Sequence, residues 1–511
     1  MRDEGVGSWT ARRARKTPGR VAIVHAGTTT TYSELHDRVL SQASRLRAMG
    51  IARGDRVAYL GPNHPAFLEV MFATWVAGAV FVPLNFRLAL PEIALQLADS
   101  GASVLFCATE RQDAADDAGV AAAVGRVVRV GAAGDDPPGP GGTAPGAVAG
   151  AWPGEPVSLE DPCLIMYTSG TTGRPKGAVL THGNITWNAI NVLVDTDMRS
   201  DEVALVVAPL FHTAALNMLS LPVLLKGGTL VIEGAFEPGR ALSLIARHRV
   251  SVMFGVPAMY DAIAAGPEWE SADLSSLRTL LCGGAPVPLA TIECYLGRGL
   301  SFIQGYGMTE ASPGVLLLDA AHAESKAGSA GVPHFFTDVR IAGEPSEILV
   351  AGPNVMAGYW NQPDATAAAL RDGWLRSGDV ATADEDGYVY VTDRIKDVII
   401  SGGENIYPAE VENALRDHPD IADCAVIGVP DQRWGEVGRA IVVLRPRAGA
   451  GEAADAADAA DTAIGEHDIL RFLEGRIARY KIPKSVSFVA ELPRTATGKI
   501  AKRVLREGYR A

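Results

Sequence analysis

One segment of the chain combines glycines, hydroxyl side chains and a lysine in a way that suits a phosphate group. It reads Tyr167-Thr168-Ser169-Gly170-Thr171-Thr172-Gly173-Arg174-Pro175-Lys176-Gly177 and follows the apolar run Leu164–Met166. Glycines let the backbone bend so that several N–H groups face one anion, and the hydroxyls and Lys176 add donors and charge. The segment lacks the Gly-Lys-Ser/Thr triplet of the ordinary P-loop. We therefore predict a different type of site for the β- and γ-phosphates of a nucleotide, in preference to a plain flexible turn.

Two further segments of the chain are rich in glycine. Gly283-Gly284-Ala285-Pro286 follows the apolar run Thr279–Cys282, and Gly305-Tyr306-Gly307-Met308-Thr309-Glu310 comes later in the chain. Where bulky side chains are missing, a flat aromatic ring can approach the backbone. Glu310 offers the carboxylate oxygens that a hard cation such as Mg²⁺ prefers. The first segment alone is better explained as a tight turn after a strand, whereas the second is more specific.

Four other polar residues stand in short motifs elsewhere. They are His212 in Pro209–Thr213, Asp379 after Ser377-Gly378, Arg394 within Asp393–Asp397, and Lys499 after Pro493–Gly498. Taken singly, each is adequately explained as a surface charge, an ion pair or a structural histidine. Their significance depends on their occurring together.

The motifs occur in an order that resembles the adenylate-forming (ANL) superfamily, which includes acyl-CoA synthetases, firefly luciferase and the adenylation domains of peptide synthetases. The resemblance extends from Thr31-Tyr32-Ser33-Glu34-Leu35 to Pro493-Arg494-Thr495-Ala496-Thr497-Gly498-Lys499, nearly the whole chain. Segment 167–177 is the most specific motif of this family. The form of the motifs is that of the acyl-CoA synthetases, and the resemblance implies the following roles.

For the nucleotide, the resemblance implies ATP and Mg²⁺ as ligands. The phosphates are bound by Thr168, Ser169, Gly170, Thr171, Thr172, Gly173 and Lys176. The adenine site contains Gly283, Ala285, Pro286, Gly305, Gly307 and Tyr306, which stacks on the ring. Thr309 contacts the α-phosphate, Glu310 binds Mg²⁺, and Asp379 accepts both ribose hydroxyls beside Arg394.

For catalysis, the resemblance implies that Lys499 contacts both the incoming carboxylate and the α-phosphate. A positioned ammonium offsets the repulsion between these two anions in the transition state. Lys396 marks a hinge about which a small domain rotates between two half-reactions, and Gly402 and Gly403 then line a passage for the pantetheine of coenzyme A. His212 gates the acyl pocket.

The candidate acyl pocket is apolar and its residues are mostly small. They are Phe211, His212, Ala214, Ala215, Met253, Phe254, Gly255, Gly283, Gly305 and Met308. Peptide-synthetase domains hold an amino group with an aspartate just after the aromatic residue, and no carboxylate occurs here between Phe211 and Leu216. A fatty, branched or aryl acid is therefore expected. Ala214-Ala215 replaces a glycine pair that many fatty-acid members carry, so the family does not predict the chain length of the acid.

We predict an AMP-forming acyl-CoA ligase. The acid reacts with ATP to give acyl-AMP and pyrophosphate, and the acyl group then passes to coenzyme A. Ser401–Pro408 has the form seen in CoA ligases, but an acyl-AMP ligase that loads a carrier protein is the alternative. A regulatory module without turnover would be expected to have lost Lys499 or Glu310, and a phosphotransferase would need the missing triplet.

The composition agrees with a multidomain enzyme that acts on small molecules. A chain of 511 residues exceeds what one hydrophobic core usually serves. The net charge of −13 argues against nucleic acid as a partner. The apolar run Phe72–Leu84 is shorter than the roughly 18 to 20 residues of a membrane span. The scattered cysteines contain no Cys-x-x-Cys pair, so we expect a cytoplasmic protein. A homodimer is left open.

The elements that must position these residues alternate between short β-branched runs and helical stretches. The predicted strands are Val57–Leu60, Ser103–Cys107, Val203–Ala208, Thr229–Ile232, Val252–Gly255 and Thr279–Cys282, and the helices include Tyr32–Met49, Pro91–Ala98 and Leu216–Leu225. Such alternation predicts parallel sheets flanked by helices. The fold class is α/β, and the resemblance implies two parallel-sheet subdomains and a small β-barrel-like subdomain.

We predict an N-terminal adenylate-forming domain over 1–393, a hinge at 394–397 and a small, mobile C-terminal α+β domain over 398–511. Its predicted elements are helix Ala409–Asp417, strands Cys424–Gly428 and Ala440–Leu444, helix Asp468–Tyr480 and strand Ser485–Phe488. The Gly/Pro/Ala-rich run 131–156 and the Ala-Ala-Asp repeats within 448–465 are predicted to be surface connections.

Overall fold

The computed structural model describes residues 4–131, 154–168, 175–284, 287–343, 345–395, 397–401, 404–445, 464–474, 476–477, 479–495 and 498–509. The chain divides into two compact units. The first comprises 1–340, 349–377 and 383–390, and the second comprises 341–348, 378–382 and 391–511. The predicted domain boundaries, 1–393 and 398–511 with a hinge at 394–397, stay a prediction. The two predicted surface connections lie largely outside the described residues.

The α-helices of the described residues are α1 (Ser8–Lys16), α2 (Tyr32–Ala48), α3 (Pro65–Val76), α4 (Leu90–Ser100), α5 (Gln112–Ala115), α6 (Ala118–Ala123), α7 (His182–Asp195), α8 (Leu221–Lys226), α9 (Pro238–His248), α10 (Pro257–Ala264), α11 (Leu289–Leu296), α12 (Pro363–Ala369), α13 (Pro408–Arg416), α14 (Glu466–Leu473) and α15 (Lys502–Gly508). A π-helix, Ala214–Ser220, precedes α8.

The strands of the described residues are β1 (Val21–His25), β2 (Thr28–Thr31), β3 (Arg56–Leu60), β4 (Val80–Leu84), β5 (Ala102–Ala108), β6 (Val127–Val130), β7 (Pro162–Thr168), β8 (Lys176–Thr181), β9 (Val203–Val206), β10 (Thr229–Ile232), β11 (Val252–Gly255), β12 (Thr279–Gly283), β13 (Phe302–Gly307), β14 (Gly314–Leu318), β15 (Val332–Pro333), β16 (Asp338–Ala342), β17 (Glu347–Ala351), β18 (Gly358–Tyr359), β19 (Leu370–Arg371), β20 (Trp374–Ala383), β21 (Val389–Arg394), β22 (Ile399–Ser401), β23 (Glu404–Ile406), β24 (Ile421–Asp431), β25 (Gly435–Leu444) and β26 (Ser485–Phe488).

Two large sheets belong to the first unit. The nine-stranded sheet has the order β15-β14-β13-β12-β11-β9-β10-β1-β2, and its stretch from β13 to β1 is parallel. The seven-stranded sheet has the order β18-β8-β7-β4-β3-β5-β6, in which β7, β4, β3, β5 and β6 run parallel. Parallel strands of this kind are covered by helices on their faces and read as continuous apolar runs. The predicted α/β fold class is therefore confirmed.

Apolar side chains from sheet and helices form the core of each layer. Met253 of β11 and Phe302 of β13 pack in one buried cluster with Tyr260 of α10 and Tyr295 of α11. Rings of Tyr260 and Phe302 meet edge to face with centroids 4.9 Å apart. Burial of such aromatic side chains is a major source of core stability. This packing fixes the strands whose ends carry the candidate site.

Two smaller sheets complete the fold. One has the order β16-β17-β20-β19, with β21 beside β20. The other belongs to the second unit and has the order β23-β22-β25-β24, with β26 beside β25. Helix α13, predicted over Ala409–Asp417, begins one residue earlier at Pro408, because proline lacks the N–H that the first turn of a helix leaves unpaired. Val411 and Leu415 of α13 are buried against β24 and β25.

Two helix predictions need correction. The helix predicted over Asp468–Tyr480 ends at Leu473, and a glycine, a poor helix former, follows at position 475 of the sequence. The helix predicted over Leu216–Leu225 is a π-helix over Ala214–Ser220 that continues as α8. Apolar periodicity does not distinguish these two helix types. No helix in the described part of the chain is long and apolar enough to cross a membrane.

Candidate active site

Four candidate segments lie at one edge of the nine-stranded sheet. Strands β9, β11, β12 and β13 are parallel neighbours, so their carboxyl ends meet at the same edge. His212 follows β9, Gly255 ends β11, Gly283 ends β12, and Tyr306 lies near the end of β13. Open α/β sheets bind ligands at the carboxyl ends of their strands. The fold thus brings together residues that are distant in sequence.

The two glycine segments are direct neighbours in this sheet. Gly283 pairs with Gly305 in register, and a Cβ atom on Gly283 would lie 3.0 Å from the carbonyl oxygen of Gly305. Gly284 has a φ of +88°, which side-chain-bearing residues rarely adopt. The backbone at Gly283 and Gly305 therefore carries no side chains, and it turns at Gly284. Ala285 and Pro286 lie outside the described residues.

The segment around Glu310 turns tightly because Gly307 has no side chain. A Cβ atom there would lie 1.8 Å from the carbonyl oxygen of Pro313, and that oxygen accepts the backbone N–H of Met308 at 3.1 Å. A 3₁₀ turn then carries Thr309 and Glu310. The buried amide of Asn354 holds the following segment by donating to the carbonyl oxygen of Ala311 at 2.9 Å. The turn fixes where the Glu310 side chain can reach.

The predicted phosphate segment joins two antiparallel strands. Thr168 ends β7, Lys176 begins β8, and the two residues pair in register. Six of the seven residues between them lie outside the described residues: Ser169, Gly170, Thr171, Thr172, Gly173 and Arg174. Strand β7 is anchored to α4, because Tyr167 donates to the Asp99 carboxylate at 2.6 Å. The residue after β18, the strand that pairs with β8, is anchored to the same aspartate, because the Trp360 indole donates to the Asp99 carbonyl oxygen at 3.1 Å.

Glu310 lies beside this phosphate segment. The hydroxyl of Tyr359 donates to Oε1 of Glu310 at 2.8 Å, and the hydroxyl of Thr168 lies 3.5 Å from the same oxygen. The ammonium of Lys176 lies 5.0 Å from the centroid of the Tyr359 ring, within the range of a cation–π contact. Burial and the neighbouring Glu310 carboxylate raise the pKa of Tyr359, so its hydroxyl stays protonated and donates. Of the predicted phosphate residues, Thr168 and Lys176 thus lie near Glu310, the predicted Mg²⁺ residue.

The donor set in this cluster fits a hard divalent cation. Glu310 and Thr168 offer a carboxylate and a hydroxyl, and Mg²⁺ prefers oxygen ligands and commonly shares its coordination between protein carboxylates and nucleotide phosphates. Glu310 would hold the ion. The ion would supply positive charge to phosphates that become more negative during reaction.

His212 stands at the start of the π-helix. Its ring centroid lies 4.3 Å from that of the buried Phe211, which meets Phe86 edge to face at 5.6 Å. Asn63, which follows β3, donates to the carbonyl oxygen of Ala208 at 3.0 Å and accepts the N–H of Leu210 at 2.8 Å. Asn63 therefore fixes the loop that leads to His212. The sequence pattern gave no indication of this role, since a single asparagine after a strand is common.

In the second unit, the two predicted ribose residues form a pair. Nε of Arg394 lies 3.0 Å from Oδ1 of Asp379. They lie on the neighbouring strands β21 and β20. Gly378, just before the aspartate, has a φ of +73° and donates its N–H to Glu347 at 3.0 Å. The backbone bend at Gly378 thus places the buried carboxylate of Asp379 against the half-exposed guanidinium of Arg394.

Lys499 lies in the second unit at the base of a turn. Its carbonyl oxygen accepts the N–H of Thr495 at 2.7 Å, and Gly498 has a φ of +84°. Its side chain is exposed. Ser401 ends β22 and pairs with Gly435 of β25, which places the start of the predicted pantetheine segment beside that strand. Gly402, Gly403 and the predicted hinge residue Lys396 lie outside the described residues.

Besides Asn63, two features of this site were missed by sequence analysis. Tyr359 connects Lys176 to Glu310, and the π-helix Ala214–Ser220 replaces a regular helix beside the candidate acyl pocket. π-Helical turns are frequent at functional sites. The only sequence signal for Tyr359 was that it forms an aromatic pair with Trp360 after Gly358. Aromatic residues in a short strand more often belong to a hydrophobic core, so this signal does not indicate a functional role.

Comparison with known proteins covers both parts of the chain. The family model described as AMP-binding enzyme matches residues 10–360, and the one described as AMP-binding enzyme C-terminal domain matches residues 410–499. A feruloyl-CoA synthase of an Amycolatopsis species is 58% identical over 100% of both chains. An indoleacetate–CoA ligase of Aromatoleum aromaticum is 42% identical over 98% of this chain and 97% of its own. The structure of an o-succinylbenzoate CoA synthetase of Bacillus subtilis with its acyl-adenylate intermediate matches with a TM-score of 0.83 at 30% identity, covering 99% of each chain.

Proposed function

The chain belongs to the AMP-binding enzyme family, as an acid–thiol ligase of the acyl-CoA synthetase type, and from this premise we propose that its acid is an aryl-substituted carboxylic acid of the feruloyl class. The enzyme activates a carboxylic acid with ATP and transfers the acyl group to coenzyme A. A carboxylate oxygen forms a bond to the α-phosphorus, and pyrophosphate leaves. The thiol of coenzyme A then adds to the acyl carbonyl carbon, a thioester forms, and AMP leaves.

The observation that carries the aryl proposal is the 58% identity with a feruloyl-CoA synthase over the full length of both chains. The indoleacetate–CoA ligase at 42% identity is named for another aryl acid. The candidate pocket supports the same class. Phe211 and Phe254 are buried beside the carboxyl ends of β9 and β11, and aromatic rings pack favourably edge to face or offset against a flat aryl group. The sequence analysis also allowed a fatty acid, but an alkyl chain does not gain these ring–ring contacts.

We propose that the phosphate segment with Lys176 binds the triphosphate, that Thr309 contacts the α-phosphate and that Glu310 holds Mg²⁺. The clustering of Thr168, Lys176 and Glu310 beside Tyr359 supports this assignment. We propose further that Gly283, Ala285, Pro286, Gly305, Tyr306 and Gly307 receive adenine. The pairing of Gly283 with Gly305 in register supports the adenine assignment, because it puts two residues without side chains next to each other on neighbouring strands.

Asp379 and Arg394 are proposed to bind the ribose, and their direct pairing supports a shared ligand. Lys499 is proposed to act in acyl-AMP formation, and Gly402 and Gly403 in thioester formation, after a rotation about Lys396. His212 is proposed to gate the acyl pocket. The ring contact of His212 with Phe211 at 4.3 Å supports this role, because it places the imidazole next to a pocket residue.

Coenzyme A is the acceptor of the relatives named above. A carrier protein as an additional acceptor, a homodimer and a cytoplasmic location stay predictions. The requirement for ATP and coenzyme A supports the cytoplasm, and so do the cysteines, which are all free thiols.

The experiment that tests the proposed acid measures pyrophosphate and AMP release from Mg·ATP with a panel of acids, each with and without coenzyme A. The panel contains ferulate, indoleacetate, benzoate and palmitate. We expect steady turnover only with coenzyme A and the highest kcat/KM with ferulate. A preference for palmitate would contradict the aryl proposal. Pyrophosphate release that stalls near one equivalent whether or not coenzyme A is present would indicate a carrier-protein acceptor.

A further inference from the structure

The ring of Tyr359 lies between two residues that the proposed function assigns to different parts of Mg·ATP. Its hydroxyl donates to Oε1 of Glu310 at 2.8 Å, and its face lies 5.0 Å from the ammonium of Lys176. Tyr359 itself is fixed by its backbone. It pairs with Ala178 of β8, and its N–H donates to the hydroxyl of Thr366 at 2.8 Å.

We propose that Tyr359 is a positioning residue that orients the Glu310 carboxylate for the metal and the Lys176 ammonium for the phosphates. This inference rests on the proposed roles of Glu310 and Lys176. Tyr359 does not have to touch ATP or the acid. It acts through the two side chains that do.

The hydrogen bonds at Glu310 favour this role because both hydroxyl donors use the same oxygen. Tyr359 and Thr168 each reach Oε1, so among the contacts of the described residues Oε2 is the oxygen left for a cation. A carboxylate whose Oε1 accepts hydrogen bonds from fixed donors has less freedom to rotate, so its Oε2 keeps one direction. Groups that hold a metal-binding carboxylate in this way commonly change metal affinity by about 10- to 100-fold when they are removed.

The contact with Lys176 adds a second constraint. Lysine has a long side chain with considerable rotational freedom, and the strand pairing of Thr168 with Lys176 fixes only its backbone. A cation–π contact with Tyr359 limits where the ammonium can lie. The ring of Tyr359 therefore sets the spacing between the ammonium of Lys176, which is proposed to contact the phosphates, and the carboxylate of Glu310, which is proposed to hold the metal.

The test separates the hydroxyl of Tyr359 from its ring. Tyr359→Phe removes the donor to Glu310 and keeps the ring, whereas Tyr359→Leu removes both. The control is Tyr390→Phe, which deletes another tyrosine hydroxyl near a carboxylate, that of Asp384 at 3.3 Å. Mn²⁺ binding to the enzyme·ATP complex is followed by electron paramagnetic resonance without any acid, so no turnover is needed.

We expect Tyr359→Phe to weaken Mn²⁺ binding by about tenfold, Glu310→Gln to weaken it at least as much, and Tyr390→Phe to leave it unchanged. Weak binding in Glu310→Gln but wild-type binding in Tyr359→Phe would overturn the inference and leave the metal role of Glu310 intact. Wild-type binding in both would overturn the metal role and the inference together.

The lysine contact is tested by ATP binding in the absence of any divalent cation. Tyr359→Leu should weaken it severalfold, whereas Tyr359→Phe should not. Equal ATP affinity in the two variants would overturn this part of the inference. Thermal unfolding of each variant checks that the fold is kept.

Discussion

Arg394 and Asp379 form an ion pair in which the two partners differ in exposure. Their side chains lie 3.0 Å apart, with 6% of the aspartate side chain and 50% of the arginine side chain exposed. Exposed ion pairs contribute little to stability, but a buried carboxylate is costly unless its oxygens are hydrogen-bonded. The guanidinium of Arg394 supplies one such bond, to Oδ1 of Asp379, and the proposed ribose role of this pair is tested as follows.

We expect Asp379→Asn to lose discrimination between ATP and its 2′- and 3′-deoxy analogues. Hydrogen bonds to a charged group contribute about 1.5 to 3 kcal/mol, so the wild type should prefer ATP by about 10- to 100-fold in kcat/KM. The measurement is kcat/KM for the three nucleotides in pyrophosphate release. The control Asp386→Asn removes an exposed carboxylate that pairs with Lys326 at 2.6 Å. Undiminished discrimination in Asp379→Asn would contradict the ribose assignment.

Lys499→Ala should abolish acyl-AMP formation and spare the second half-reaction. Removing a positioned charge that stabilises the transition state typically costs about 100- to 1,000-fold. Pyrophosphate release from ATP and the acid measures the first step, and thioester formation from supplied acyl-AMP measures the second. Arg503→Ala, which deletes another basic side chain near the C-terminus with 68% exposure, is the control. An equal loss in both steps would refute this division of roles.

Gly403→Val should have the opposite effect. A branched side chain in the proposed pantetheine passage would block the thiol, so thioester formation from supplied acyl-AMP should fall by at least about tenfold. Pyrophosphate release in a single turnover should be close to wild type. Gly508→Val is the matched control, because no atom lies within 4 Å of a Cβ built at that exposed glycine. Slow pyrophosphate release in Gly403→Val would place this residue in the first step instead.

His182 should make the stability of the first unit depend on pH. Burial lowers the pKa of His182 from 6.5 to about 4, and its Nδ1 accepts the N–H of Val6 at 3.2 Å. Between these pH values the unfolded chain binds a proton that the folded chain does not. Stability from this residue is therefore fully present above pH 6.5 and decreases as the pH falls towards 4, by up to about 3 kcal/mol.

His182→Asn can accept the same N–H but does not titrate. The free energy of unfolding should therefore fall less steeply in this variant than in the wild type from pH 6.5 to 4, as measured with urea. The control His467→Asn changes an exposed histidine at the start of α14. Parallel pH profiles for wild type and His182→Asn would show that the folded protein tolerates a charged His182.

Which of the proposed nucleotide residues are neighbours within each unit could be predicted in part from the sequence, because these residues lie in short contiguous motifs. Gly283 and Gly305 were assigned to one ligand, and they are neighbours in the sheet. Asp379 and Arg394 were assigned to the ribose, and they pair directly. A family motif records the residue types at such positions even when the folding that brings them together is unknown.

The supporting contacts could not be predicted, because they depend on long-range packing. Asn63 reaches the loop before His212 from a different sheet, and Tyr359 reaches Glu310 across 49 positions of sequence. Neither belongs to a pattern with a chemical signature. The end of α14 and the π-helix were also wrong in the sequence-based prediction, since apolar spacing fixes a helical face but not the number of residues in each turn.

The π-helix Ala214–Ser220 has a consequence for how the acid specificity of this enzyme could change during evolution. A π-helix accommodates one more residue per turn than an α-helix, so a chain shorter by one residue could form a regular helix over the same path. A residue added or removed beyond the one that the π-helix absorbs would rotate His212 relative to α8 by about 100°. Insertions and deletions, and not substitutions alone, are thus a route by which related sequences could diverge in the acids they accept while the strands that carry the proposed nucleotide residues keep their register.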